Sequence, residues 1–462
     1  MTSRRKFIRQ IGGSAALLSA GSLSAIASSK KGKTIPVSEN RISSNDKIRV
    51  AAIGMGIMGF NDVNTALKVP GIELAAVADL YNGRLTRAKE VYGNSIATTR
   101  DYRELLDRKD IDAVIIATSD HWHNRIAIDA MKKGKAVYCE KPMVHHLDQG
   151  QEVIRVQKET KAVLQVGSQG VSSSRFAAAK KLYEAGEIGR LNCIEASNDR
   201  HSALGAWQYS IPPDASPQTV DWDRYLGNAP KLPYEANRFF RWRNYREYGT
   251  GVAGDLFVHL ISGIHFITGS LGPEKIYATG QLSYWKDGRN VPDVMTAILD
   301  YPETEKHAAF QLTLRVNFAS GNGETGYTHY IGTDGVIDLG YGGFTLKKEK
   351  LPRAPGYGGW DSFSTFPKAI QEEFEKQYNA KYSDADRRAE KFSDTVYKEA
   401  DTDDEHYNHF VNFFEGVRSG KPIVEDASFG FRACAPCIAC NESYFTGKII
   451  HWDPVNMKVV NK

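Results

Sequence analysis

Short apolar runs alternate with stretches of helical periodicity through the first third of the chain. Ile48–Ile53, Ile72–Ala78, Ala113–Thr118, Lys135–Cys139 and Ala162–Gly167 have the near-continuous hydrophobicity of strands buried on both faces. Between them, Arg84–Tyr92, Asp101–Leu106, Asn124–Lys133 and Leu147–Thr160 read as helices. That alternation predicts a doubly wound parallel sheet. Beyond residue 171 the period changes. Leu191–Ser197, Lys275–Tyr284, Val294–Tyr301 and Ala308–Phe318 alternate apolar with polar, which predicts a large, mostly antiparallel open sheet. Val252–Phe266 is a helical segment among them. Residues 353–404 read as an insertion with charged helices, and 405–445 as two closing helices.

The first strand stops at Gly54, and GMGIMG follows, with glycines at 54, 56 and 59. A helix takes over through Val63 and Leu67, and the second strand ends on Asp79. Gly54 permits a tight turn, Gly56 a close approach of backbone to pyrophosphate, and Gly59 close packing of helix on strand. Ile57 and Met58 complete the turn, and the helix N-terminus offers unpaired N–H groups to an anion. Asp79 can accept from the ribose hydroxyls and repels a 2′-phosphate, so NAD is the expected cofactor. The fold class expected is therefore α/β, a Rossmann domain over 47–171 followed by an α+β domain over 172–462. Ligands of such sheets bind beyond the carboxyl ends of the strands, where Gly54, Asp79, Thr118 and Lys141 fall.

The N-terminus reads as an address. Ser3-Arg4-Arg5-Lys6-Phe7-Ile8 resembles the twin-arginine export signal, with a mildly apolar stretch to Ala27 and a cleavage-type Ala25-Ile26-Ala27. The expectation is a signal peptide over 1–27, a linker over 28–46, a periplasmic or exported protein, and the twin-arginine machinery as a partner. The stretch is too short and weakly apolar for stable membrane insertion. It also distorts the charge. The formal net charge is +4, but residues 1–46 carry a surplus of +6 and the remainder −2, a poor footprint for nucleic acid. An exported dinucleotide protein has no ready pool of NAD, which points to a cofactor that stays bound. A homo-oligomer is compatible with the sequence.

Five cysteines occur, and Cys434, Cys437 and Cys440 have a spacing like an iron–sulfur run but lack a suitably spaced fourth. Their helix-like, small-residue context reads as a packed core face, and no metal site is expected.

Gly54-x-Gly56-x-x-Gly59, Glu140-Lys141-Pro142 and the GTGVAGDLFVHL stretch from Gly249 to Leu260 together resemble the Gfo/Idh/MocA family of NAD(P)-dependent sugar and polyol oxidoreductases. The resemblance implies that Glu140 and Lys141 lie at the cofactor, Lys141 beside nicotinamide and the substrate hydroxyl, and that His259 stands by the reacting carbon with Asp255 orienting it. A histidine suits general-base work, and an ammonium stabilises a developing alkoxide. Asp255 and His259, four apart, share one face of a helix. Two departures bear on pocket shape: Phe257, where the family is often smaller, and Ser262, where it often carries an acid.

His121 and His123 flank Trp122 near the expected cofactor edge. Metal ligation is one reading of such a pair, and contacts to cofactor or helix start are the other. Asn198, Arg200, His201, Trp207, Trp242 and Arg243 are candidate substrate-pocket residues, since sugars present apolar faces and polar rims. The leading expectation is a dehydrogenase of a sugar, glycoside or polyol with bound NAD. A redox-neutral NAD-dependent glycosidase and a non-catalytic sugar-binding or regulatory protein on the same fold are the alternatives.

Overall fold

The computed structural model describes residues 47–460. The expected signal peptide (1–27) and linker (28–46) lie outside the described residues. Six parallel strands form the first sheet: β1 (Ile48–Ile53), β2 (Ile72–Ala78), β3 (Ala97–Thr99), β4 (Ala113–Ile116), β5 (Ala136–Glu140) and β6 (Leu164–Gly167). Their order is β3-β2-β1-β4-β5-β6, so the strand order reverses between β1 and β4. That reversal opens a crevice at the carboxyl edge, the place where ligands of this architecture sit. The strands are buried because helices cover both faces, which is why their sequences read as unbroken apolar runs.

The second sheet has eleven strands. Its spine is β7 (Leu191–Asp199), β8 (Lys275–Gln281), β9 (Val294–Tyr301), β10 (Phe310–Asn317), β11 (Thr325–Gly332), β12 (Gly335–Gly340) and β13 (Gly343–Lys350), edged by β14 (Glu390–Lys391), β15 (Thr395–Lys398), β16 (Ile450–Asp453) and β17 (Lys458–Val459). Neighbours run antiparallel except β7 and β10. The helix Ala427–Thr446 covers one face, burying Cys434, Cys437 and Cys440 in the core. Among the described residues no helix is long and apolar enough to cross a membrane.

Three features depart from the sequence expectation. β11 to β13 are rich in Gly, Thr and Tyr and only partly buried, so they carry little alternation to read. The insertion holds one helix, Lys368–Lys381, and two short strands that extend the sheet edge through β13. The helix Glu405–Ser419, expected within the second domain, packs back on the first. Its Phe410 stacks on Tyr138 of β5 at 4.2 Å, with Phe413 and Phe414 buried alongside. A stripe of phenylalanines needs an apolar partner, and each such aromatic pair adds roughly 0.5–1.5 kcal/mol beyond its buried area. The chain's end thereby fastens the two domains together.

Candidate active site

The turn after β1 is built as a cradle. Gly54 has φ +90°, and a Cβ there would lie 2.7 Å from the Ala117 carbonyl oxygen. A Cβ on Gly59 would lie 1.9 Å from the Gly54 oxygen, so the helix Ile57–Ala66 starts flush against the strand end. Gly56 is different: its Cβ would meet nothing nearer than Arg84 at 3.9 Å. No side chain caps the helix and its first turn holds no acid. An open glycine beside uncapped N–H groups fits a pyrophosphate.

Asp79 is buried at the tip of β2. One oxygen accepts the Met55 N–H (2.7 Å), the other the Tyr81 N–H (2.8 Å), and Arg84 lies 3.5 Å away. The carboxylate therefore braces the glycine turn as well as lining the cleft.

At the reversal point, Thr118 and His123 line the cleft. The His123 ring is buried, with its nitrogens 2.8 Å from the Pro142 oxygen and 3.1 Å from the Thr118 oxygen. It ties the end of β4 to the loop that carries Lys141. His121 corrects the expectation of a cofactor contact. Its Nε2 lies 2.9 Å from the Tyr225 oxygen, its Nδ1 3.1 Å from Ser119 Oγ, and it packs among Trp122, Tyr225 and Tyr248 behind the cleft wall. The ring instead ties this turn to the Tyr225 and Tyr248 carbonyls of the second domain.

Glu140 ends β5, buried, accepting from Gln169 Nε2 at 2.7 Å. Burial, with Asp62 close by, pushes its carboxyl up to about 8. Next to it Lys141 Nζ donates to Asp255 Oδ1 (2.9 Å) and to the Asp255 carbonyl (3.0 Å). Arg243 Nε donates to the same Oδ1 at 3.2 Å. Burial works against the Asp255 charge, but Lys141 and Arg243 outweigh it and hold the carboxyl well below its usual range. Asp255 lies in a π-helical turn, Ala253–Phe257, that opens the helix Val258–Thr268. Such turns are frequent at functional sites.

His259 follows one turn later, half-buried, and makes no hydrogen bond to the described residues. Burial, then the Lys141 charge, pushes its pKa down to about 3, so the imidazole is neutral and keeps a lone pair to accept a proton. The expectation that Asp255 orients His259 is corrected: the carboxylate turns to two cations, which stabilise its buried charge far better than a neutral imidazole. A buried acid nevertheless meets Ser262, since Glu425 Oε1 lies 3.4 Å from its hydroxyl.

The second domain supplies the opposite wall. Tyr209, Tyr225, Phe239, Phe240, Trp242 and Arg243 line the same cleft as Gly54, Asp79 and Lys141. It also supplies a strap. Asn82 N–H donates to the Thr219 carbonyl (3.0 Å) and Asp221 N–H to the Leu80 carbonyl (2.9 Å), a short β-bridge across the tip of β2. Arg100 donates to the Thr219 carbonyl at 3.1 Å, and Arg84 lies over Phe239 and Phe240.

Four of the six candidate substrate residues lie off this cleft. Asn198 lines a separate surface depression with Arg200, Glu324 and Tyr341, and His201 is exposed. Trp207 is core, edge-on to Phe318 at 4.8 Å. β7 ends at Asp199, whose carboxylate is tied to Arg315 at 2.6 Å. Tyr209 and the Phe239–Phe240 pair were missed by sequence reasoning. The stretch 199–251 is dense in aromatics, and density alone does not rank its members.

A family model described as "Oxidoreductase family, NAD-binding Rossmann fold" matches residues 48–168, and the GFO/IDH/MocA C-terminal domain matches 176–338. An inositol 2-dehydrogenase of Salmonella typhimurium is 31% identical over 145 residues, 31% of this chain and 43% of that protein. Glycosyl hydrolase family 109 protein 1 of Shewanella sp. (strain MR-4) is 36% identical over 121 residues, 24% of this chain and 26% of that protein. The chain spans less than half the length of these curated relatives. A solved levoglucosan dehydrogenase, in complex with NADH and levoglucosan, shares the fold with a TM-score of 0.62 at 17% identity, covering 88% of this chain and 99% of that one.

Proposed function

The chain belongs to the GFO/IDH/MocA oxidoreductase family with an NAD-binding Rossmann domain, and from that premise we propose that it is an NAD-dependent dehydrogenase of a secondary hydroxyl on a sugar, glycoside or polyol. The observation that carries this reading is the pairing of Lys141, which lines the cleft that the glycine turn opens, with the buried Asp255. The ammonium, fixed by a charged partner, holds the substrate oxygen and stabilises the alkoxide as it forms. The neutral His259 imidazole takes the hydroxyl proton. NAD, when bound, accepts the hydride.

The cofactor in this reading stays bound through turnover. The strap from Thr219 to Asp221 closes the adenosine end of the cleft, and it supports retention independently of the N-terminal address. Export by the twin-arginine route is part of the same proposal and rests on Arg4 and Arg5 with the apolar stretch behind them. The deciding experiment presents purified protein with neutral and acidic sugars, glycosides and polyols and follows the near-ultraviolet absorbance of reduced nicotinamide. Reduction of bound NAD by one member supports the proposal. Silence across the panel with cofactor present overturns it.

A second reading is a redox-neutral glycosidase. The glycosyl hydrolase relative favours it, and an enclosed cofactor suits a cycle that returns its own hydride. Glycoside hydrolysis at constant cofactor absorbance would select this reading over the first.

A further inference from the structure

Two cations of the substrate wall share one carboxylate: Lys141 Nζ and Arg243 Nε both donate to Asp255 Oδ1. The second acid nearby, Asp120, is buried and spends one oxygen on the Thr250 backbone and hydroxyl. His259 and His123 are held neutral by burial, and Glu140 is largely protonated at neutral pH. Two cations thus meet one directly bonded carboxylate, in a site where an unpaired buried charge is expensive.

Arg243 uses only Nε on Asp255, and its terminal amino groups find no acceptor among the described residues. The guanidinium carbon lies 4.2 Å from the Trp242 ring centroid, which restrains it, and Arg243 lines the cleft with about a fifth of its side chain exposed. Beside it Tyr209 lines the same wall, its hydroxyl making no hydrogen bond to the described residues while feeling the charges of Arg243 and Asp255. A planar pair of N–H donors held on an aromatic face matches a carboxylate bidentately.

We infer that the substrate is a sugar acid, its carboxylate taken by the Arg243 fork and the Tyr209 hydroxyl while a ring hydroxyl reaches Lys141. The inference rests on the dehydrogenase reading and narrows its substrate class. A neutral sugar would leave the fork desolvated without an acceptor.

The test pairs each acid with its neutral counterpart: methyl glucuronide with methyl glucoside, galacturonate with galactose, gluconate with sorbitol. A sugar phosphate separates a planar carboxylate from any anion. Reduction of bound NAD gives kcat and KM, and calorimetry gives binding whether or not turnover follows. At least one acid should exceed its neutral partner by about 100-fold in kcat/KM. In Arg243→Met the acid-to-neutral ratio should collapse, and Arg243→Lys should restore it only in part. The ratio is the readout because loss of the Asp255 contact lowers both numbers together. Melting temperature and NAD content certify folding, and Tyr209→Phe, which removes one hydroxyl, tests the same subsite with less disturbance. Neutral sugars oxidised as well as acids overturn the sugar-acid inference and leave the dehydrogenase reading standing. The phosphate preferred over every carboxylate also overturns it. If nothing reduces the cofactor, the dehydrogenase reading falls, and Arg243-dependent binding of an acid by calorimetry alone upholds the anion site.

Discussion

Lys141 and Asp255 stand 114 residues apart in the chain and in different domains, yet they meet as a buried ion pair at 2.9 Å. The pair closes the seam between the sheet that holds the dinucleotide and the wall that faces substrate. Each charge is held by the other domain, so cleft geometry and catalytic charge are one property.

Breaking that pair should cost both stability and rate. Asp255→Asn leaves Lys141 and Arg243 without a counter-charge, a loss of roughly 3–5 kcal/mol for a buried pair, seen as a lower melting temperature. Lys141→Ala should keep its NAD and lose turnover by about 100-fold or more. Near-normal turnover in a folded Lys141→Ala protein contradicts the assignment.

Asp79→Ala should weaken NAD binding by roughly 1.5–3 kcal/mol, since it removes a charged acceptor and the brace on the Met55 N–H. Titration with NAD and NADP checks the direction. Equal affinity of the wild type for both would show that Asp79 serves the turn alone.

Cofactor retention should depend on the strap. Protein isolated from the export compartment should release close to one NAD or NADH per chain on denaturation, which requires affinity of about −12 kcal/mol or stronger. Arg100→Ala removes a donor to the Thr219 carbonyl and should speed NAD release by about 10-fold, one hydrogen bond's worth. Protein recovered empty and restored by micromolar NAD would refute retention.

The pH profile follows from His259. Its pKa is depressed to about 3, so the base stays neutral far below the 6.5 of a solvated imidazole. The acidic limb of kcat/KM should therefore lie well under pH 6.5. The sign for stability agrees: the unfolded state binds the extra proton first, so this contribution is present above pH 6.5 and is lost as pH falls towards 3. A profile breaking at 6.5 would mean a hydrated imidazole.

Changing Arg4 and Arg5 to Lys should trap precursor in the cytoplasm. Fractionation and immunoblotting read the result, and unchanged export of that variant removes the twin-arginine reading.

The parallel sheet, the glycine turn and the acid at the tip of β2 are legible in the sequence, because each follows from local rules. Buried strands are written as apolar runs, and Gly54 and Gly59 stand where a Cβ would strike backbone. It also brought out Lys141, Asp255 and His259 as candidates. Tertiary structure alone decided how they pair. Whether Asp255 serves His259 or Lys141 depends on which charges share its low-dielectric site, and the partner arrives from a strand 114 residues away. The same holds for the cleft wall. His201, Tyr209 and Trp242 look alike as polar or aromatic residues in one irregular segment. The folded structure puts Tyr209 and Trp242 on the cleft and leaves His201 in solvent. Irregular chain has no period to read, so its side chains take their places from long-range contacts.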